Sequence, residues 1–416
     1  MKQSVSTARP PASAAASEAL FRYRWVILGV SIFVQTAVAS ASQGVPPLAS
    51  FYQVDLHLSR AQVGIMTAAL SMGQVPSLLL SGWLTDIVGI RVMMAVGPAV
   101  TGLAVIGLMF STSFEQAVLS LLVAGIGSGI GNPGVTKAVF YWFPPRMRAT
   151  AMGIKQTGVP LGGAVFAATL PALALAAGWH ASILALGLFD LLMGIMGFAL
   201  FREPPDRPSN SGAASRQVTA LRQVLANRNI WLAGILAAVL VGIQFCLITY
   251  LMLYLRDVLQ VSIVVAGVVL AALQMTGLCA RIFWGFVSDG FLKGRRKPVM
   301  LLSAAATAVV LVLLGLTQPG ISLALVVLLG IALGFTTLGW HGIFMVLVSE
   351  LAGVQMAATA VGLGMTVSAL GNLLLPPLFG VIADALDYHW AWFFLAGLSA
   401  AGFVVFLFMR EPVLKE

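Results

Sequence analysis

Long apolar runs separated by short polar breaks fill almost the whole chain. Runs long enough to cross about 30 Å of hydrocarbon fall at 25–45, 61–84, 91–110, 115–142, 148–172, 181–201, 230–254, 262–287, 298–316, 320–346, 354–378 and 389–409. Each predicts a membrane-spanning helix, twelve in all. The longest polar stretch between them, 202–229, holds Pro204, Pro205, Pro208, Ser209, Asn210 and Ser211. It divides the spans into two sets of six. The expected organisation is therefore an N-terminal tail (1–24), a first six-helix half (25–201), a central loop (202–229), a second half (230–409) and a C-terminal tail (410–416).

Composition agrees with the pattern. Of the 416 residues 59% are hydrophobic and only 9% charged, against about 25% charged in a soluble domain. An ordinary soluble enzyme and a disordered chain are both excluded, and an all-α membrane protein is what remains. The net charge of +9 finds its explanation in where the cations fall. With both termini in the cytoplasm, 18 of the 23 Lys and Arg lie in cytoplasmic segments and only Arg60 and Arg256 outside. Lys137, Lys155 and Arg281 fall within or near spans. This is the positive-inside bias, and it needs no nucleic-acid partner. A bacterial-type inner membrane is the expected location. The first apolar run, though it passes the small residues Ala39–Ala41, is long for a cleaved signal and reads as an uncleaved first helix. Cys246 and Cys279 both sit in apolar runs, far apart and without metal-ligand spacing, and read as small buried hydrophobes.

The chain also repeats itself. Gly82-Trp-Leu-Thr-Asp86 closes the second span and leads to Arg91. Gly285-Phe-Val-Ser-Asp289 closes the eighth and leads to Lys293, Arg295, Arg296 and Lys297. Glycine and aspartate recur at the same offset of 203 residues, the trace of two parallel six-helix halves. On these motifs the chain resembles the major facilitator superfamily from about Trp25 to Arg410, although Ile87 and Ile90 stand where the superfamily has basic residues. The resemblance implies two pseudo-symmetric six-helix halves around a central cavity, lined chiefly by spans 1, 4, 7 and 10 and also by 2, 5, 8 and 11. It implies gating roles for Gly82, Asp86, Arg91, Gly285, Asp289, Arg295 and Arg296. In that account the glycines let helices approach closely, and the aspartates pair with loop cations.

An ionisable group inside a membrane costs about 2.5–3.5 kcal/mol on insertion scales, so it faces a cavity or a partner. Arg281, four residues before Gly285, has the guanidinium fork that grips a carboxylate through two parallel hydrogen bonds. Its setting, with Trp284-Gly285 following, partially resembles the bacterial monocarboxylate and oxalate–formate carriers. Lys155 and Gln156 precede a Gly/Pro-rich stretch through Gly158, Pro160, Gly162 and Gly163, which suits a bending helix. Asn132 stands beside Pro133, and Lys137 follows near the cytoplasmic end, where snorkelling is favoured. Histidine is the side-chain type that can titrate near neutrality, so His341, next to Trp340, is with Asp190, the carboxylate well inside a span, a candidate for proton coupling. The uncharged substrate candidates are Gln35, Gln244, Tyr250, Gln274, Trp340 and Asn372, with Ser40, Gln43, Gln74 and Tyr254 also polar within spans.

More cations than carboxylates in the spans point to an anionic cargo. The expected activity is secondary active, alternating-access transport of a small organic anion, monocarboxylate-like, with a proton. The alternative is efflux of amphipathic or cationic compounds by proton antiport. For that reading a helix-4 arginine near Leu121 and a Gly-Pro-x-x-Gly-Gly pattern in helix 5 are missing. No HExxH, GxSxG or Walker pattern occurs. No enzyme activity, cofactor, metal or obligatory protein partner is expected; the partners are a small molecule, protons and the lipid bilayer.

Overall fold

The computed structural model describes residues 14–143, 145–202, 223–353 and 356–411. The described residues form twelve helical columns. The first half contains α1 (Ala14–Gly44) with the short α2 (Ala49–Asp55), α3 (Arg60–Val88), α4 (Ile90–Leu108), α5 (Phe114–Trp142), α6 (Pro145–Gln156) continued by α7 (Gly158–Ala177), and α8 (Trp179–Leu200). The second half contains α9 (Arg228–Asp257), α10 (Ile263–Phe286), α11 (Lys297–Gly315), α12 (Leu323–Leu338) continued by α13 (His341–Ala352), α14 (Ala357–Ala385) and α15 (Tyr388–Leu407). Eleven columns combine the length and hydropathy needed to cross a bilayer, and α3, 29 residues long, supplies the twelfth. Residues 203–222 of the central loop lie outside the described residues.

Polar residues in the breaks start the helices. Ser59 and Gln62 form a reciprocal capping box at the head of α3, with bonds of 3.2 and 2.9 Å. Asp387 accepts from the Trp390 N–H at 3.0 Å to open α15. These side chains satisfy backbone donors that have no intrahelical partner. Between α3 and α4 the reversal is made at Gly89 alone, with φ +96°, a conformation that costs a residue with a Cβ.

Large apolar side chains stay exposed along the outer faces, among them Leu192 (58%), Val309 (60%) and Val404 (52%). Lipid is the solvent that makes this stable. The same reason corrects one expectation: Cys246 is buried, but Cys279 is exposed on α10. In a membrane protein an apolar run has a lipid-facing side, so an apolar setting does not imply burial.

The two faces of the molecule are built differently. At the face carrying the 45–59, 258–262 and 386–387 connections, one continuous core spans both halves. It packs Tyr52, Leu58 and Val63 with Tyr250, Tyr254, Phe379 and Trp392. At the opposite, terminal face, where the described residues begin and end, the cores are separate. Ile27, Val34, Met94 and Val135 form one in the first half; Ile230, Val299, Trp340 and Phe344 form another in the second. The most extensive inter-half packing is α3 against α14 and α7 against α10. Both crossings need glycine. A Cβ at Gly64 would strike the Pro376 carbonyl and the Tyr250 hydroxyl, and one at Gly267 the Ala167 carbonyl.

Candidate functional site

A cavity of about 220 Å³ lies between the halves, lined from α1, α3, α5, α6, α7, α9, α10, α13 and α14. These belong to columns 1, 2, 4, 5, 7, 8, 10 and 11. Three of the linings repeat one pattern. Gln35, Val38, Ala39 and Ser42 on α1, Ser71, Gln74, Val75 and Leu78 on α3, and Met365, Ser368, Ala369 and Asn372 on α14 all follow i, i+3, i+4, i+7. That spacing puts each set on one helical face.

Arg281 reaches into this cavity from α10. Its Nε donates to the Leu338 carbonyl at 3.2 Å and its Nη1 to the Gln156 carbonyl at 3.4 Å. Both acceptors are the last residues of interrupted helices: α6 stops at Gln156 and α12 at Leu338. At Gln156 the cause is chemical. Pro160, four residues on, has no N–H to donate back, so the carbonyl is left for another donor. A helix C-terminus carries partial negative charge, and two such ends from opposite halves converge on one guanidinium. His341, the first residue of α13, and Gln156 line the same cavity. Among the described residues no Asp or Glu does.

Of the residues singled out from the sequence, Gln35, Asn132, Gln156, Gln244, Arg281, His341 and Asn372 come together on this lining. Four substrate candidates stand outside it. Trp340 is fully buried in the second-half core, its indole N–H bonded to the Thr337 carbonyl at 2.7 Å. Tyr250 is fully buried in the inter-half joint, its hydroxyl 2.7 Å from the Arg60 carbonyl and 2.9 Å from that of Pro376. Gln274 donates to Gln43 across the halves at 2.5 Å. Lys155 is buried one residue from the lining, with its Nζ on Thr136 Oγ1 at 3.1 Å. Asp190 is also fully buried behind the wall, accepting from Ser40 at 2.6 Å. Lys137 is half-buried on α5, off the lining.

The terminal face carries the residues implicated in gating. Arg296 bonds the Asp289 carboxylate, Ser288 Oγ at 2.7 Å and Glu350 at 3.4 Å. The Glu411 carboxylate accepts from the backbone of Arg296 and, at 2.9 Å, of Lys297. Burial would depress the Arg296 guanidinium, but its bonds to Asp289 and Glu350 outweigh this and hold it above its ordinary value. Every partner here belongs to the second half, so the cluster ties that half together and does not reach across. Arg295 is exposed. Arg91 donates to the Phe198 carbonyl at 2.6 Å and lies over the Phe198 ring. Gly285 corrects an expectation: nothing lies within 4 Å of where its Cβ would be, so no helix approaches closely there. The surroundings of Gly82 and the side chain of Asp86 lie outside what is described.

Sequence inspection by residue type favoured charges and single polar groups, and it passed over Ser42, Ser71, Thr366 and Ser368 on the lining. Hydroxyls in an apolar run are individually uninformative. For Ser42, Ser71 and Ser368 the i, i+3, i+4, i+7 register shared with Gln and Asn is the signal that finds them; Thr366 lies off it.

Comparison with known proteins agrees with this architecture. The sequence profile of the Major Facilitator Superfamily matches residues 28–376. An uncharacterized MFS-type transporter of Mycobacterium tuberculosis strain H37Rv is 29% identical over 369 residues, covering 89% of this chain and 81% of the relative. The hexuronate transporter of Bacillus subtilis strain 168 is 24% identical over 383 residues, covering 88% and 90%. The crystal structure of a bacterial homolog of the human lysosomal transporter Spinster superposes with a TM-score of 0.81, covering 92% of this chain and 96% of that one at 17% identity, a likeness of fold. With two six-helix halves around a polar cavity and a family match across most of its length, this chain is an integral membrane protein of the Major Facilitator Superfamily, a transporter and not an enzyme.

Proposed function

We propose that this protein moves a small organic anion, monocarboxylate-like, across the membrane by proton-coupled alternating access. The observation that carries the reading is Arg281 on a cavity whose described lining has no carboxylate. A guanidinium in a site of low dielectric favours an anionic ligand. Its present partners are two neutral carbonyls at 3.2 and 3.4 Å, long for a guanidinium and weaker acceptors than a carboxylate. The similarity to a hexuronate transporter supports an acid as cargo.

In this reading Gln35, Asn132, Gln156, Gln244 and Asn372 orient the substrate. Lys155 adds positive potential from behind the wall. Gln274, Tyr250 and Trp340 hold the frame around the cavity. His341, beside Arg281 on the lining, and Asp190, bonded to Ser40 of α1, are the proton-coupling groups. The Asp289–Arg296–Glu350 cluster, with Gly82, Asp86, Arg91 and Arg295, forms the gate at the terminal face. We place that face in the cytoplasm of a bacterial inner membrane on the cation distribution. With the opposite face joined, the cavity is then accessible from inside. Efflux of amphipathic cations is the weaker reading, since a lipophilic cation would meet Arg281 with no acid to offset it.

The test is thermal unfolding of the detergent-purified protein against a panel of small acids, in wild type and Arg281→Ala. A ligand bound only by the folded state raises stability as RT ln(1 + [L]/Kd). An acid that stabilises wild type and not the folded variant is the expected result. If no acid shifts either protein while a lipophilic cation shifts both, the anion reading is abandoned.

A further inference from the structure

We infer that the cargo is a hydroxylated acid, a small sugar-acid-like carboxylate, and not a plain aliphatic monocarboxylate. This rests on the anion reading and narrows it. Arg281 accounts for one anionic group. The rest of the polar lining is uncharged in the main: seven primary amides, contributed from both halves, surround the same space together with His341 and the hydroxyls of Ser42, Ser71, Thr366 and Ser368.

A primary amide presents a carbonyl acceptor and two N–H donors on one plane. A carboxylate offers acceptors only, and a hydrocarbon tail offers nothing. Either would leave amide oxygens without donors. Three of those oxygens already lack one: Gln35 Oε1, Gln156 Oε1 and Asn372 Oδ1 are buried without a hydrogen-bond partner. Leaving a buried acceptor unpaired is unfavourable. A hydroxyl both donates and accepts, so it suits an amide whichever way the amide is turned. The three oxygens lie on α1, α6 and α14, so their donors must come from several positions on one ligand. The cavity, about 220 Å³, has room for a small polar molecule.

The amides differ in their present engagement, and this sets the order of contacts. Gln43 is committed to Gln274 across the halves at 2.5 Å, and the Asn372 amide N–H₂ to Ser71 Oγ at 2.5 Å. Gln35 and Gln156 have their oxygens free. Gln156 also provides through its backbone one of the two carbonyls that hold Arg281. An anion drawing Arg281 toward itself would therefore act on the residue whose side chain reads the hydroxyls.

The test compares three six-carbon probes: gluconate with charge and hydroxyls, hexanoate with charge alone, and sorbitol with hydroxyls alone. Binding is measured by calorimetry or thermal shift on the purified full chain. Gluconate is expected to bind at least about a hundredfold more tightly than hexanoate, because sites built to bond hydroxyls strongly reject analogues lacking them. Sorbitol is expected to bind more weakly than gluconate. Gln35→Met and Asn372→Leu, close in shape to the native residues, should each weaken gluconate about tenfold and leave hexanoate unchanged. Hexanoate binding as tightly as gluconate overturns this inference and leaves the anion reading standing. Sorbitol binding as tightly as gluconate removes the anion reading itself. Failure of gluconate to bind at about 10 mM, a free energy near −3 kcal/mol, also overturns the inference. The wild-type comparison decides these outcomes even if a variant does not fold.

Discussion

The carboxylate of Asp384, at the end of α14, accepts hydrogen bonds from the backbone N–H of Arg60 at 3.1 Å and of Ala61 at 2.8 Å, the first two residues of α3. One half thus places a negative charge on a helix N-terminus of the other, where free donors and the helix dipole both favour it. The Arg60 guanidinium returns the contact, donating to the Ala383 carbonyl at 2.6 Å and lying over the Tyr388 ring. This joint must part whenever the cavity opens to that face.

Asp384→Ala should therefore loosen the joint. Hydrogen bonds to a charged group contribute about 1.5–3 kcal/mol each, so a shift of tenfold or more toward the open state is expected. A cysteine at Thr67, buried against Thr249 at 3.2 Å in the same joint, would report it by faster maleimide labelling in a background lacking Cys246 and Cys279. Gly64→Val should open the joint independently, since its side chain would collide with the Pro376 carbonyl and Tyr250. Unchanged labelling in both variants would mean that closure is held elsewhere.

Pro160 leaves the Gln156 carbonyl free for Arg281. Pro160→Ala would restore an N–H able to take that carbonyl back into the helix. The expected result is a protein as stable as wild type or more so, by up to about 1 kcal/mol, but with slower transport and weaker anion binding, because the break in column 5 is partly healed. Wild-type transport with higher stability would show that the break is not used.

Asp190→Asn separates two roles for the buried pair with Ser40. The amide keeps the shape and accepts the same hydrogen bond, so the thermal midpoint should move little. If Asp190 carries the coupled proton, accumulation driven by a pH gradient should fall at least tenfold while exchange of substrate for substrate persists. If both rates and their pH profiles stay as in wild type, the residue only holds α8 to α1, and His341→Gln becomes the variant to measure.

The hydrophobic pattern alone determined the number of spans, their division into two sets and the class of protein. These follow from a local requirement: about 20 apolar residues are needed per crossing, and polar residues must mark each end. The repeat at 203 residues revealed the two halves for the same local reason. Tertiary structure decided which polar residues share a space. Gln244 and Tyr250 lie on the same helix, yet one lines the cavity and the other seals the joint. Trp340 and His341 are neighbours in sequence, yet one is core and the other lining. The direction a side chain takes depends on the rotation of its helix against neighbours far away in the chain. The interruption at Gln156 was legible in Pro160, but the arrival of Arg281 from 125 residues away was not. Charge and apolarity are properties of residues, while a cavity is a property of the packing between them.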